Sequence, residues 1–306
     1  MDKAKVLKKN RIRRSSGDIF VQGFIYCCLV LLTLAIVLPC WHILILAFND
    51  GKDAAHGGVF LWPRQFTLAN FRDVFRDGSI MNAYSITILR TFIGTLLSLV
   101  ITSMAAFALR ERRLPARSFI LFAITFCMLF SGGLIPNYIL YNKLGLLDTF
   151  WVYIFPGAMS VTYLMMMRST MDGIPNSLIE SAELDGCGFM RTYLKIVLPL
   201  SKPVLAVVGL YTAVNHWNDW FSGSFYMTST KLWPVQTVLQ QMLTRAMSAQ
   251  QEVVNISSAM TRNATTVTSD SLKMAAVVLT VLPILCVYPF IQKYFAKGVM
   301  IGAVKG

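Results

Sequence analysis

Residues 174–203 of the chain read IPNSLIESAELDGCGFMRTYLKIVLPLSKP, a polar stretch set between long apolar blocks. Pro175 is tolerated in the first turn of a helix, and the run after it carries acidic side chains on one side. Gly186 can end that helix in a left-handed conformation, because glycine has no Cβ to clash. Apolar residues then recur at helical spacing until Pro199 interrupts the pattern. The stretch therefore predicts two short helices joined at a glycine corner.

The blocks on either side of this stretch are unusually apolar. Of the 306 residues, 55% are apolar and 14% are charged, whereas about a quarter of the residues of a soluble domain are charged. Crossing a bilayer core of about 30 Å takes roughly 20 helical residues. The candidate blocks are Phe20–Phe48, Thr91–Leu109, Phe119–Tyr141, Trp151–Met167, Val204–Phe221 and Leu272–Phe295. The sequence predicts an all-α membrane protein with six transmembrane helices.

The basic residues lie asymmetrically between these blocks. With the N-terminus inside, the inner segments 1–18, 110–117, 168–202 and 293–306 hold 18 Lys and Arg residues, and the outer segments hold 8. This bias follows the positive-inside rule and places both termini in the cytoplasm. It also explains the net charge of +13 without a nucleic-acid partner. The first apolar block is too long for a cleaved signal peptide, and no small-x-small cleavage site follows it.

Two units follow from this arrangement. Residues 1–18 form a basic cytoplasmic tail that can lie on anionic lipid, and residues 19–306 form one six-helix transmembrane domain. The domain carries an inner loop at 169–202 that is far longer than a helix–helix connection needs. It also carries an outer loop at 223–271, rich in Gln, Ser and Thr.

Motifs for bound cofactors are missing from the sequence. There is no G-x-x-x-x-G-K-[ST] loop to cradle a triphosphate. The six cysteines show no C-x-x-C or Cys/His ligand spacing, and five of them lie in apolar blocks, where they pack as small apolar side chains. We expect no metal site, no cofactor and no catalytic residues in this chain.

The inner loop resembles the EAA loop of ABC-importer permeases. That pattern is E-A-A, three residues, G, nine residues, and I-x-L-P, and the chain matches it with Glu180, Ser181, Ala182, Gly186, Ile196, Leu198 and Pro199. Ser181 in place of the first alanine is the one departure. The sequences Asn218-Asp219-Trp220 and Gly302–Gly306 are similar to those of carbohydrate-importer permeases, most closely the second permease of maltose-type and complex-oligosaccharide systems.

This resemblance implies a type I importer permease in a bacterial plasma membrane. Expected partners are a second, homologous permease, two ATPase subunits that bind ATP and Mg²⁺, and an external sugar-binding protein. The matched loop residues, together with Asp185, would couple the ATPase to alternating access. The transported sugar would be an oligosaccharide, and an acidic one is compatible with the sequence.

Polar and aromatic residues in the blocks are candidates for the substrate pathway, because such side chains at membrane depth usually face a cavity or the bundle interior. They are Arg90, Asn137, Tyr138, Tyr141, Asn215, Trp217, Asn218, Asp219 and Trp220, with His216 beside them. Interfacial belts and helix–helix contacts use the same residue types. For Arg90 we weigh a pathway role against snorkelling to the outer interface, and we favour snorkelling. Arg90→Ala should then leave neutral-sugar uptake intact.

Other functions remain as alternatives. An intramembrane enzyme would need paired carboxylates or a nucleophile–base pair, which the sequence does not offer. A self-contained carrier often shows internal repeats and paired broken helices and has no use for a long coupling loop. A permease for amino acids, peptides or metals would share the loop, and the similarities at 218–220 and at the C-terminus favour sugar over these.

Overall fold

The computed structural model describes residues 16–76, 78–111, 113–130, 132–255 and 271–286. Within these ranges the chain is helical, with one isolated antiparallel bridge between Asn49 and Phe66. Helices satisfy their backbone hydrogen bonds internally, which is what lipid requires of a spanning segment. The predicted all-α class is therefore confirmed. Of the predicted basic tail 1–18, residues 1–15 lie outside the described ranges and residues 16–18 begin α1; residues 287–306, with the predicted Gly302–Gly306 ending, also lie outside.

The helices are α1 Ser16–Ala47, α2 Gly51–Ala55, α3 Ala69–Arg76, α4 Ser79–Arg110, α5 Arg117–Leu129, α6 Leu134–Lys143, α7 Val161–Asp172, α8 Asn176–Leu184, α9 Phe189–Thr192, α10 Leu198–Leu200, α11 Lys202–Asn218, α12 Phe221–Tyr226, α13 Val235–Asn255 and α14 Ser271–Cys286. A π-helical turn, Tyr193–Val197, joins α9 to α10.

Two of these helices, α1 and α4, are long and apolar enough to cross a membrane alone. Two bent pairs raise the number of spans to as many as four. The pair α5 and α6 meets at 115°, and the helical segment Phe189–Leu200 meets α11 at 80°. The described part of α14 is a shorter apolar helix. The count of six spans thus stays a prediction.

Two predicted spans are not continuous helices. The block Phe119–Tyr141 is broken between α5 and α6, where Gly133 has φ +84° and Pro136 lies in the first turn of α6. The block Trp151–Met167 opens with a short 3-10 turn, Phe150–Tyr153, and α7 begins only at Val161. Glycine with positive φ and proline both interrupt helical hydrogen bonding. The length of the apolar blocks therefore predicted longer continuous helices than the structure has.

The core is built around α4, which packs most extensively against α11 and α7. Its inward face meets Leu164 and Met167 of α7 and Val208 of α11, all fully buried. In contrast, only 6% of the most apolar stretch of α1 is buried within the chain. The exposed apolar side chains of α1, such as Phe24 and Leu31, must therefore be covered by lipid or by other protein segments.

The segment predicted as an outer loop at 223–271 contains a long helix. In the 21-residue α13, Val238, Leu239 and Met242 belong to one apolar cluster with residues of α14, of the first turn of α4 and of the end of α1. The polar composition hid this helix, because Gln236, Gln240 and Gln241 lie between the apolar residues that pack inward.

A hydrogen-bonded cap follows α1. The Asn49 amide donates to Asp53 Oδ2 at 2.9 Å, and Asn49 Oδ1 accepts from the Gln65 backbone N–H at 2.9 Å. Donation from Asn49 holds the pKa of Asp53 below its usual value, and the nearby Arg64 guanidinium lowers it further, while desolvation opposes both. The cap fixes the path of the chain from α1 towards α3.

Candidate coupling surface and membrane cavity

The predicted glycine corner is present at the end of α8. Gly186 has φ +77°, its N–H donates to the Glu183 carbonyl at 3.0 Å, and the Cys187 N–H donates to the Ala182 carbonyl at 2.8 Å. These two bonds form a Schellman motif, which satisfies carbonyls that the helix end would leave unpaired. The corner is thus a fixed turn specified by Gly186.

The side chains of α8 divide between a buried and an exposed face. Ala182 is 5% exposed and packs inward. Glu180, Ser181 and Asp185 are exposed. Leu184 protrudes from the corner with 90% of its surface exposed. The loop therefore presents acidic groups around an apolar knob.

The second half of the loop, from α9 to α10, is anchored to α4. The Tyr193 hydroxyl hydrogen-bonds to Ser103 Oγ at 2.7 Å, and both residues are buried. Phe107 packs on Phe189 and Tyr193, with ring centroids 4.4 and 5.4 Å away. The predicted coupling residues Ile196 and Leu198 are half-buried, and Pro199 is exposed.

The start of α8 is held by Arg110, the last residue of α4. Its guanidinium donates to the Ile174 carbonyl at 2.7 Å and to Asn176 Oδ1 at 2.8 Å. A cavity of about 650 Å³ lies beside this contact. Its charged lining is balanced: Arg110, Arg113, Arg117 and Arg168 face Glu111, Asp172, Glu180 and Glu183.

Near the other end of α4, Arg90 is fully buried and paired. One guanidinium nitrogen lies 2.6 Å from Asp219 Oδ2, and the other donates to the Asp219 carbonyl at 3.3 Å. The guanidinium also lies 4.5 Å from the centre of the Tyr153 ring. The expectation that Arg90 snorkels to the interface is wrong, because a carboxylate and an aromatic face inside the bundle satisfy its charge.

The Arg90–Asp219 pair lies at the wall of a cavity of about 320 Å³. Of the predicted pathway residues, the structure brings Arg90, Asn215 and Asp219 to this cavity. The Asn215 amide donates to the Tyr163 hydroxyl at 3.0 Å. Further polar lining residues that the sequence did not reveal as pathway candidates are Ser98, Tyr153, Ser160, Tyr163, Thr212 and Ser222. His216 lines the cavity too, packed so closely on α4 that a Cβ on Gly94 would overlap its ring.

The other predicted pathway residues lie away from this cavity. Trp217 donates to the Thr280 carbonyl at 3.1 Å and so ties α11 to α14. Tyr138 and Tyr141 lie beside Tyr226, with ring centroids 6.3 and 5.2 Å away. Asn137 is half-buried, while Asn218 and Trp220 are exposed. Among the described residues, no three His, Cys, Asp or Glu side chains converge on a metal-sized site.

Known proteins share this arrangement. Residues 98–301 match the family model for the binding-protein-dependent transport system inner membrane component. The polygalacturonan/rhamnogalacturonan transport system permease protein YtcP of Bacillus subtilis (strain 168) is 35% identical, over 97% of this chain and 100% of that protein. Protein LplC of the same organism is 37% identical, over 88% of this chain and 90% of that protein.

A solved structure supports the same relationship. The crystal structure of a bacterial ABC transporter involved in the import of the acidic polysaccharide alginate contains a chain with a TM-score of 0.82 and 26% identity. The match covers 92% of this chain and 99% of that chain. Sequence and structure together show that the chain belongs to the family of binding-protein-dependent transport system inner membrane components.

Proposed function

We propose that the chain is a permease subunit of an ATP-driven sugar importer. The observation that carries this proposal is its full-length similarity to a polysaccharide-transport permease, 35% identical over 97% of the chain. The alginate importer adds a structural neighbour of the same kind. The chain forms part of the sugar path and does not itself catalyse ATP hydrolysis, which falls to separate ATPase subunits that bind ATP and Mg²⁺.

The loop around α8 is the surface we assign to coupling. An apolar knob with acidic neighbours on a short, capped helix suits a cleft on an ATPase subunit, because the knob supplies buried area and the carboxylates supply orientation. Leu184 is the knob, and Glu180 and Asp185 are the neighbours. The Gly186 corner keeps this helix in one orientation, so that a push on α8 is transmitted and not absorbed.

The cavity beside Arg90 suits the hydroxyl groups of a sugar. Its lining offers Ser, Thr, Tyr and Asn side chains, and Thr212 Oγ1 is buried there without a hydrogen-bond partner. YtcP and the alginate importer are named for acidic polysaccharides, which favours an acidic oligosaccharide here. Because Asp219 already neutralises Arg90, this cavity offers hydroxyl contacts, and the carboxylates of such a sugar need other counter-ions.

The remaining parts of the assembly follow from the family. A second permease would complete the path across the plasma membrane, and an external binding protein would deliver the sugar. We propose six spans with both termini in the cytoplasm, which would put the α8 loop on the ATPase side; the distribution of basic residues supports this orientation.

Co-purification from native membranes tests the proposal. Tagged wild type should bring down an ATPase subunit and a second permease. Gly186→Pro should lose the ATPase, because proline cannot adopt φ +77° and removes the N–H that bonds to Glu183. Gly186→Asn is the matched control, since asparagine tolerates the left-handed region. Recovery of no ATPase with wild type, even after gentle cross-linking, would favour a self-contained carrier.

The substrate class needs a separate measurement. Proteoliposomes holding the purified complex and its binding protein should accumulate labelled oligosaccharides in an ATP-dependent manner. A panel of neutral and uronate oligosaccharides, with amino acids and peptides as the comparison, distinguishes a sugar importer from an importer of other solutes.

A further inference from the structure

The helix α4 links the two sites described above. It runs for 32 residues from Ser79 to Arg110 and contains no proline. At 1.5 Å per residue it is about 48 Å long, and about 30 Å separate Arg90 from Arg110. The spans around it are less continuous, because α5 and α6 meet at 115° and the polypeptide between Tyr153 and α7 is not helical. A continuous helix transmits a displacement over this length, whereas a bend can absorb it.

The last two turns of α4 contact both halves of the coupling loop. Ser103, Phe107 and Arg110 follow one another at helical spacing and share one face. Ser103 and Phe107 hold the α9 half through Tyr193 and Phe189. Arg110 holds the α8 half through two directional hydrogen bonds, of which the one to the Ile174 carbonyl is partly buried and the one to Asn176 is exposed. Arg110 thus supplies the described side-chain hydrogen bonds that join α4 to the start of α8.

The helix α11 runs beside α4 from the loop to the cavity. Its N-terminus continues from the loop at Ser201, and Asp219, which follows its C-terminus, pairs with Arg90. Between these ends the backbones come close, because Gly94 leaves room for the His216 ring and Gly209 lies against Leu99. The two helices are therefore packed together between the coupling loop and the Arg90–Asp219 pair.

We propose that α4 and α11 form one lever that turns with α8, and that Arg110 is the positioning residue that ties α8 to it. The proposal rests on the coupling function assigned to the loop above. When α8 is displaced, Arg110 passes the displacement to α4, and the Arg90–Asp219 pair carries it to the cavity wall. Without Arg110, only the apolar contacts of Ile174 and Ile179 hold α8 beside α4, and α8 can shift further while α4 stays in place. ATP hydrolysis then continues with less sugar moved.

The stoichiometry of transport tests this role in the complete importer, reconstituted in proteoliposomes with its binding protein. Arg110→Gln should raise the number of ATP molecules hydrolysed per sugar imported several-fold, while the ATPase subunits stay bound. Arg110→Lys keeps a donor and should recover part of the coupling. Arg113→Gln is the matched control, an exposed arginine lining the same cavity, and should leave the ratio unchanged. An unchanged ratio in Arg110→Gln would overturn the proposal.

A distance measurement separates this proposal from the assigned function. Spin labels at Ser177 on α8 and Met104 on α4, both exposed, are introduced after replacing the six native cysteines. The distance distribution should be narrow with Arg110 and clearly broader in Arg110→Gln. If wild type transports no sugar but this broadening appears, the sugar function fails and Arg110 still positions α8. If wild type transports sugar and the distribution keeps its width, the lever is wrong and the function stands.

A milder variant covers the case in which Arg110→Gln does not assemble. Asn176→Ala removes one of the two acceptors and leaves the arginine in place. It should broaden the distribution and raise the ATP-to-sugar ratio, each less than Arg110→Gln would. Wild-type values for both measurements would count against the lever.

Discussion

The helices α1 and α4 have the same length, 32 residues, and both are apolar enough to span a membrane, yet their places in the molecule are opposite. In α1, 6% of the most apolar stretch is buried within the chain, whereas in α4 the buried share of the corresponding stretch is 39%. The apolar side chains of α1 point outwards, while α4 buries Thr87, Arg90 and Ser98. In a membrane protein, polar and small residues mark the interior of the bundle, because lipid tails solvate apolar side chains as well as the protein interior does.

Removing the charge of Arg90 from α4 should have the largest effect. Arg90→Ala leaves Asp219 without its partner in the bundle, which costs about 3–5 kcal/mol of stability. Uptake of every sugar should fall with the amount of folded complex, contrary to the sequence-based expectation that neutral-sugar uptake survives. Thermal unfolding followed by size-exclusion chromatography measures the loss. Arg90→Met combined with Asp219→Asn removes both charges and should recover much of it, and a stable Arg90→Ala protein would show that the pair contributes little.

The second largest difference in stability is expected when a glycine of each helix is replaced by alanine. A Cβ at Gly94 of α4 would overlap the His216 ring, and Gly94→Ala should destabilise the protein by about 1–3 kcal/mol. A Cβ at Gly23 of α1 meets nothing within 4 Å. Gly23→Ala should therefore be neutral or gain up to about 1 kcal/mol from helix propensity. The same thermal measurement compares them, and equal effects would contradict the difference in packing.

Loss of one hydroxyl should have a smaller effect. Ser103→Ala on α4 removes the buried hydrogen bond to Tyr193 and should cost about 0.5–1.5 kcal/mol. Thr33 on α1 bonds only to the Leu29 carbonyl one turn before it, on an exposed surface. Thr33→Val should change stability by less than about 0.5 kcal/mol. A larger effect at Thr33 would show that this face of α1 is covered by another protein.

The smallest effect is expected on the apolar surface of α1. Leu31→Ala removes a side chain that is 62% exposed within the chain, so the isolated subunit should keep its thermal stability. The same variant in the assembled complex identifies what covers α1. Unchanged assembly indicates lipid, and weakened association with the second permease indicates a protein contact.

Local signals made the coupling loop predictable from the sequence. A proline in the first turn, a glycine at the end and an interrupted apolar repeat act over a few residues, and the structure has the α8 corner where these signals placed it. The break between α5 and α6 had a local signal as well, in Gly132, Gly133 and Pro136. The length of the apolar block outweighed that signal in the prediction.

The membrane cavity depends on contacts between distant parts of the chain. Arg90 and Asp219 are separated by 129 positions, and no periodicity links them. Without knowledge of Asp219, the sequence suggested that Arg90 extends its guanidinium to the membrane interface, because a single arginine near the end of a spanning helix usually does this. The contact of Arg110 with Ile174 spans 64 positions and was equally hidden. Pairing of this kind needs the fold, whereas the turn at Gly186 followed from a short stretch of sequence.

Leu184 has a consequence for the lifetime of the chain before assembly. Chaperones and proteases bind apolar side chains that protrude into water, and Leu184 is 90% exposed at the tip of a stable turn. A copy without its ATPase partner would leave this side chain accessible to chaperones and proteases until the partner covered it. The cellular amount of the subunit would then follow the supply of its partners, and surplus copies would be removed.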